Sequence, residues 1–180
     1  MPVESVVHLS GFPAPLDRAA FIEGFGPVFE HSPWVAEAAW ERRPFASLHA
    51  VHRAMVEVVR ASPREQQLLL LRAHPELWGN EARERRMTAD SVAEQAGAGL
   101  FSLTPAQAVR IERMNAEHQQ KFGFPFIIAA LKNTREQILS EFERRLCLDA
   151  GAAFEAALQQ VELITGLRIE RMIPVQEERP

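Results

Sequence analysis

Phe124-Pro125-Phe126-Ile127-Ile128-Ala129-Ala130-Leu131 decides the fold class, because it is the one run in the 180 residues with the look of a β-strand. Pro125 brings no N–H and disfavours the interior of a sheet. Elsewhere valine and isoleucine never alternate with polar residues for long. The run reads as a buried segment that becomes helical, and the rest of the chain then carries only helix signals.

Just upstream, Thr104-Pro105-Ala106-Gln107 is a capping box that starts a long helix through Ile111 and Met114, stopped at Gly123. Ser62-Pro63-Arg64-Glu65 is a second such box, opening a helix through Leu68–Leu71. Ser32-Pro33 fits an N-cap followed by proline at the first helical position, before Trp34–Arg42. Val51, Ala54, Met55 and Val58 have amphipathic spacing, as do Ile138, Phe142 and Leu146 downstream. The last helix spans Gly151 to Met172. The expected architecture is all-α: a single helical domain over residues 1–180 with about eight helices, residues 1–16 and 174–180 forming peripheral arms. No repeat, low-complexity tract or interior linker interrupts it.

Composition bounds the chemistry. A chain that is 47% hydrophobic and 24% charged, with net charge −4, is one ordinary globular domain. The lone cysteine, Cys147, forbids an internal disulfide and leaves a cysteine-based zinc site short of ligands. Tyrosine is absent, and only Lys121 and Lys132 are available for a Schiff base. The 18 arginines read as a genomic bias, and the Arg83/Arg85/Arg86 cluster, balanced by Glu81 and Glu84, as a solvated face. The acidic balance argues against nucleic acid as a partner. No apolar run approaches the roughly 18 residues of a membrane span. Met1-Pro2-Val3-Glu4 lacks a signal-peptide pattern and Gln176–Pro180 lacks a Ser-Lys-Leu address, so a cytoplasmic location is expected. His31, His49, His52 and His118 show no metal-ligand spacing, and there is no phosphate loop or nucleophile elbow. Neither metal nor cofactor is expected.

Three places break the helical pattern. In Leu70-Leu71-Arg72-Ala73-His74-Pro75, a histidine precedes a proline at a helix exit, where the backbone is pushed out of the α region. A helix C-terminus favours the imidazolium; the plain alternative is a histidine bonded to a backbone carbonyl. Ser91, Glu94 and Gln95 share one helical face, ahead of the small-residue stretch Ala96-Gly97-Ala98-Gly99; a solvated polar face is the alternative there. On the last helix Phe154, Ala157, Leu158, Val161, Ile164 and Met172 form an apolar stripe with Arg168 in its middle. A guanidinium so placed is either half of a buried ion pair or awaits an anionic ligand.

The chain resembles the 2-oxo-4-hydroxy-4-carboxy-5-ureidoimidazoline (OHCU) decarboxylase family. The likeness runs through Phe29-Glu30-His31-Ser32-Pro33-Trp34-Val35-Ala36, Arg43-Pro44-Phe45 and Ala73-His74-Pro75-Glu76-Leu77. It continues through Ser91-Val92-Ala93-Glu94-Gln95-Ala96-Gly97-Ala98-Gly99-Leu100, Lys121-Phe122-Gly123-Phe124-Pro125-Phe126-Ile127-Ile128-Ala129 and Leu167-Arg168-Ile169. Glu76, Trp78, Met87 and His118 depart from the family pattern, His118 standing where tyrosine is common. The resemblance implies an all-helical, cofactor-free, homodimeric enzyme acting on a small ureido acid. It implies His74, Glu94 and Arg168 as catalytic residues. Pro75, Ser91, Gln95, Phe126, Ile127, Ile128, Ala129 and Ala130 are implied as substrate contacts.

Such a substrate carries its own electron sink, a ring C=N beside the carbon that loses CO₂, which fits a sequence without cofactor motifs. His74 is expected to donate the proton and Glu94 to orient His74 or the substrate hydroxyl. Arg168 is expected on anionic or carbonyl oxygens, with Ser91, Gln95 and backbone N–H groups of Phe126–Ala130 on the ureido and ring edges. A related decarboxylase or lyase on another ureido acid, or a helical binding module without activity, are the competing readings.

Overall fold

Helix caps set the element boundaries in the computed structural model, which describes residues 16–79 and 87–172. Among these residues the regular structure is helical throughout. The eight α-helices are α1 (Arg18–Phe25), α2 (Trp34–Trp40), α3 (Leu48–Ala61), α4 (Arg64–Arg72), α5 (Ala89–Gly97), α6 (Pro105–Phe122), α7 (Arg135–Leu146) and α8 (Ala150–Met172), with short 3₁₀ turns between some of them. The all-α expectation holds. The arms beyond Leu16 and after Met172, and the Arg83/Arg85/Arg86 cluster, lie outside the described residues.

The described residues divide into two units by contact, 16–62 with 165–172, and 63–79 with 87–164. In the first unit, Asp17 and Ser47 cap α1 and α3 by accepting the N–H groups of Ala20 and Ala50. The helices bury Phe21, Phe25, Val35, Ala36, Ala39, Val51, Met55 and Val59 together with Phe29. The His52 and Thr165 side chains meet at 2.9 Å. Arg168 is buried, its Nη1 donating to Glu30 Oε2 at 2.9 Å and to the Val28 carbonyl at 3.2 Å. Of the two readings of this arginine, the buried ion pair is present.

In the second unit, Thr104 and Thr134 form full capping boxes with Gln107 and Gln137. The core gathers Leu77, Leu100, Ile111, Met114, Phe126, Ile128, Ile138, Leu139 and Phe142. Phe126 and Phe142 stack at 3.9 Å.

Three local expectations fail. The Ser62 hydroxyl turns backwards and donates to the Val58 carbonyl at 2.7 Å, satisfying an orphan acceptor of α3, so Pro63 opens α4 with no side-chain cap. Pro33, not Ser32, occupies the cap of α2, which ends at Trp40 and not at Arg42. Most consequentially, Phe124–Ala129 does not become helical; only the 3₁₀ turn Ala130–Lys132 follows it. Gly123 leaves α6 in the left-handed conformation (φ 77°), and Pro125 can donate no N–H to a new helix. Side chains take over the backbone bonding of this stretch. His118 Nδ1 donates to the Phe124 carbonyl at 2.9 Å, Arg145 to Ile127 O at 2.7 Å and Asn133 to Ala129 O at 2.9 Å, while Gln160 accepts from the Ala129 N–H at 2.9 Å.

Two stability predictions follow from these buried groups. Burial pushes the His118 imidazole down from 6.5 to about 4; the bond to the Phe124 carbonyl opposes this, and Arg145 and Lys121 add to the fall. Between those pH values the unfolded chain binds a proton that the folded chain refuses. Stability should therefore fall by roughly 2–3 kcal/mol as pH drops from about 6.5 to 4, then level off. Urea unfolding across this window should show the slope in the native protein and lose it in His118→Phe; an equal slope in both would rule His118 out. For the ion pair, Glu30→Gln takes the carboxylate charge away from a buried guanidinium and should cost about 3–5 kcal/mol, whereas the Glu30→Leu/Arg168→Met double variant recovers most of that loss in the same measurement.

Candidate active site

The second unit holds all but one of the residues that the sequence singles out. Arg168, with Glu30 and Val28, belongs to the first.

His74 stands where expected, two residues past the end of α4 and 7% exposed. Its N–H donates to Leu71 O at 3.2 Å, continuing the helical turn, and its Nδ1 meets the Leu70 carbonyl at 2.9 Å. This is the carbonyl-bonded histidine that the plain reading anticipated, and it has a chemical consequence. A carbonyl can only accept, so Nδ1 carries the hydrogen in both the neutral and the charged ring. Nε2 is then the nitrogen that gains and gives up a proton. The bond also fixes the ring plane.

Thr88 caps α5 by accepting the Ser91 N–H at 3.3 Å, and the helix turns Ser91, Glu94 and Gln95 to one buried face. The solvated-face alternative is thereby excluded. Gln95 differs from expectation in what it holds. Its Oε1 accepts from the Trp78 N–H at 3.0 Å, and its Nε2 donates to the Glu76 carbonyl at 3.1 Å and to Met87 Sδ at 3.3 Å. The carboxamide is thus committed to the turn after His74, which ties α5 directly to the histidine's own segment. The end of α5 also lies close to the 3₁₀ turn after Ala130: a Cβ added at Gly97 would sit 2.7 Å from Leu131 Cδ2.

Phe126–Ala130 is buried along its whole length. Its backbone is partly spent, because the N–H of Ala129 and the carbonyls of Ile127 and Ala129 already bond to side chains. The buried Arg145 that holds Ile127 also pairs with Glu141 at 2.7 Å. Hydrogen bonds from Arg144 and Arg145 hold the Glu141 carboxyl down to about 2, against the effect of its partial burial. A groove of about 360 Å³ borders this segment at Ile128, Asn133, Glu141, Arg145 and Gln160. A second cavity, of about 470 Å³, lies beside the turn and is lined by Glu76, Trp78, Gly79, Glu112, Asn115 and Gln119; none of the residues chosen from sequence lines it. Among the described residues no group of three or more His, Cys, Asp or Glu side chains is placed to hold a metal ion, and no helix is long and apolar enough to cross a membrane.

Asn115 and Arg145 escaped the sequence reading, yet the signal was there. On α6, Asn115 and His118 lie on the face of Ile111 and Met114; on α7, Arg145 lies on the face of Ile138 and Phe142. The polar-residue-in-an-apolar-stripe argument that picks out Arg168 picks these out as well.

Residues 14–170 match the family model for OHCU decarboxylase. A 2-oxo-4-hydroxy-4-carboxy-5-ureidoimidazoline decarboxylase of Haloferax volcanii is 41% identical over 154 residues, covering 86% of this chain and 89% of its own. The Mus musculus protein of the same name is 34% identical over 158 residues, covering 88% and 89%. Among solved structures, (S)-allantoin synthase superposes with a TM-score of 0.70 at 27% identity, over 88% of this chain and 51% of that one. With the model spanning nearly the whole chain and relatives matched over most of their length, the chain belongs to the OHCU decarboxylase family.

Proposed function

We propose that this chain decarboxylates 2-oxo-4-hydroxy-4-carboxy-5-ureidoimidazoline to (S)-allantoin, with His74 as general acid. The family relatives are carboxy-lyases named for this reaction, and a structural neighbour is named for its product. The observation that carries the role of His74 is the Nδ1 bond to Leu70 O, which makes Nε2 the proton-transferring nitrogen of a ring held in one orientation.

In the reaction the C–CO₂ bond breaks and its electron pair moves into the adjacent ring C=N, so CO₂ departs without an external electron sink. One proton from the His74 imidazolium then reaches the ureido-bearing carbon from a single face, while the hydroxyl proton passes to the ring nitrogen that took up the electron pair and the hydroxyl-bearing carbon ends as a carbonyl. Glu94, on the same buried face as Ser91, orients His74 or the substrate hydroxyl. Ser91, Pro75 and the Phe126–Ala130 segment contact the ureido and ring edges, and Gln95 serves them by holding the turn. Arg168 meets anionic or carbonyl oxygens. A guanidinium has five N–H donors, so its bond to Glu30 is compatible with that task. The same reading has the enzyme working in the cytoplasm, as a homodimer and without a cofactor.

The test generates the substrate freshly from urate and follows the circular dichroism of (S)-allantoin. The native protein should accelerate its appearance over the spontaneous racemic background; no acceleration would refute the function. His74→Asn should lose about 10²–10⁴-fold in rate with an unchanged far-ultraviolet spectrum. A near-native rate in that variant would refute the proton-donor role alone.

A further inference from the structure

The turn that follows His74 is thinly held by its own backbone among the described residues. Pro75 has no N–H, Trp78 adopts a left-handed conformation (φ 52°), and a backbone bond runs within the turn from the Gly79 N–H to Glu76 O at 3.3 Å. The turn is also tight, since a Cβ at Gly79 would meet Glu76 Cβ at 2.6 Å. Two carboxamides supply what it lacks. Gln95, from α5, takes Glu76 O and the Trp78 N–H. Asn115, from α6, donates Nδ2 to the Leu77 carbonyl at 2.8 Å, across 38 residues of chain. Three consecutive residues after His74-Pro75 are therefore gripped by side chains of two helices.

Asn115 occupies an expensive place. It is 5% exposed on the face of Ile111 and Met114, and its Oδ1 is buried without a hydrogen-bond partner. A leucine would fill much the same volume with no stranded side-chain oxygen, but it would take its donor away from the Leu77 carbonyl. What the asparagine supplies in return is one donor, aimed at the turn.

We propose that Asn115 is a positioning residue for the decarboxylation. Its bond to Leu77 O fixes the turn so that His74 and Pro75 meet the substrate in one geometry. The proposal rests on the reading of His74 as the proton donor. It acts through the turn and predicts a loss in kcat rather than in substrate affinity.

The experiment compares Asn115→Leu and Asn115→Asp with the native protein in the allantoin assay, and records the His74 ring signals by NMR. Asn115→Leu should lower kcat about 10–100-fold with KM changed less than about threefold, and should shift or double the His74 ring resonance while helical content is kept. Asn115→Asp keeps the shape but exchanges the donor for an acceptor unless its carboxyl is protonated. Its kcat relative to the native protein should therefore climb at least about fivefold from pH 8 to pH 6. Native kcat and an unmoved His74 resonance in Asn115→Leu would overturn the proposal. So would a ratio for Asn115→Asp that stays flat with pH, which a merely structural role would give. If Asn115→Leu fails to fold, Asn115→Asp decides alone. His74→Asn, run in parallel, separates the two claims: a native rate there sinks the proton-donor role, while the ring resonance still reports whether Asn115 holds the turn.

Discussion

Buried carbonyl oxygens outside helices must find donors, and this protein finds them on the apolar faces of its helices. Asn115 donates to Leu77, His118 to Phe124, Arg145 to Ile127 and Arg168 to Val28. Each donor sits among buried apolar neighbours of its own helix, and each acceptor lies outside the α-helices, Val28 at the end of a 3₁₀ turn. Without these bonds the irregular stretches would carry unsatisfied backbone groups into the interior, at about 1–3 kcal/mol apiece. The helices form a scaffold, and a few polar side chains projecting from it hold the non-helical backbone in a single course.

That division of labour suits the proposed reaction, in which the substrate brings its own electron sink and the protein supplies a proton donor and a shaped, dry wall. At the helix exit His74 has its Nδ1 anchored on the last turn. The segment Phe126–Ala130 supplies backbone close to the surface of a packed core, which a helix, bonded to itself, offers less readily. Arg145 and Gln160 hold that segment in place, as Gln95 and Asn115 hold the turn after His74.

Much of this was legible one helix at a time. The capping box at Thr104, the stop at Gly123 and the stripe of Val51, Ala54, Met55 and Val58 are local properties, and each appears as expected. The face shared by Ser91, Glu94 and Gln95 follows from helical period alone, and all three are buried. Ser62 misled because a hydroxyl beside two helix ends can satisfy either, and the Val58 carbonyl won. Phe124–Leu131 misled more deeply. Its hydrophobicity announced burial correctly, but hydrophobicity says nothing of who bonds the backbone.

The sequence by itself determined most of the helices, their apolar faces, the family and the identity of the histidine at the helix exit, because those depend on neighbours within a few residues. The tertiary structure decided what the polar residues on those faces do. Gln95 turns out to hold the Glu76–Trp78 backbone, Arg168 to pair with Glu30, and Phe124–Ala129 to stay non-helical under four side chains. Those partners lie far apart along the chain, 138 residues in the case of Arg168 and Glu30. A hydrogen bond at such separation is set by how helices pack, which no local pattern records.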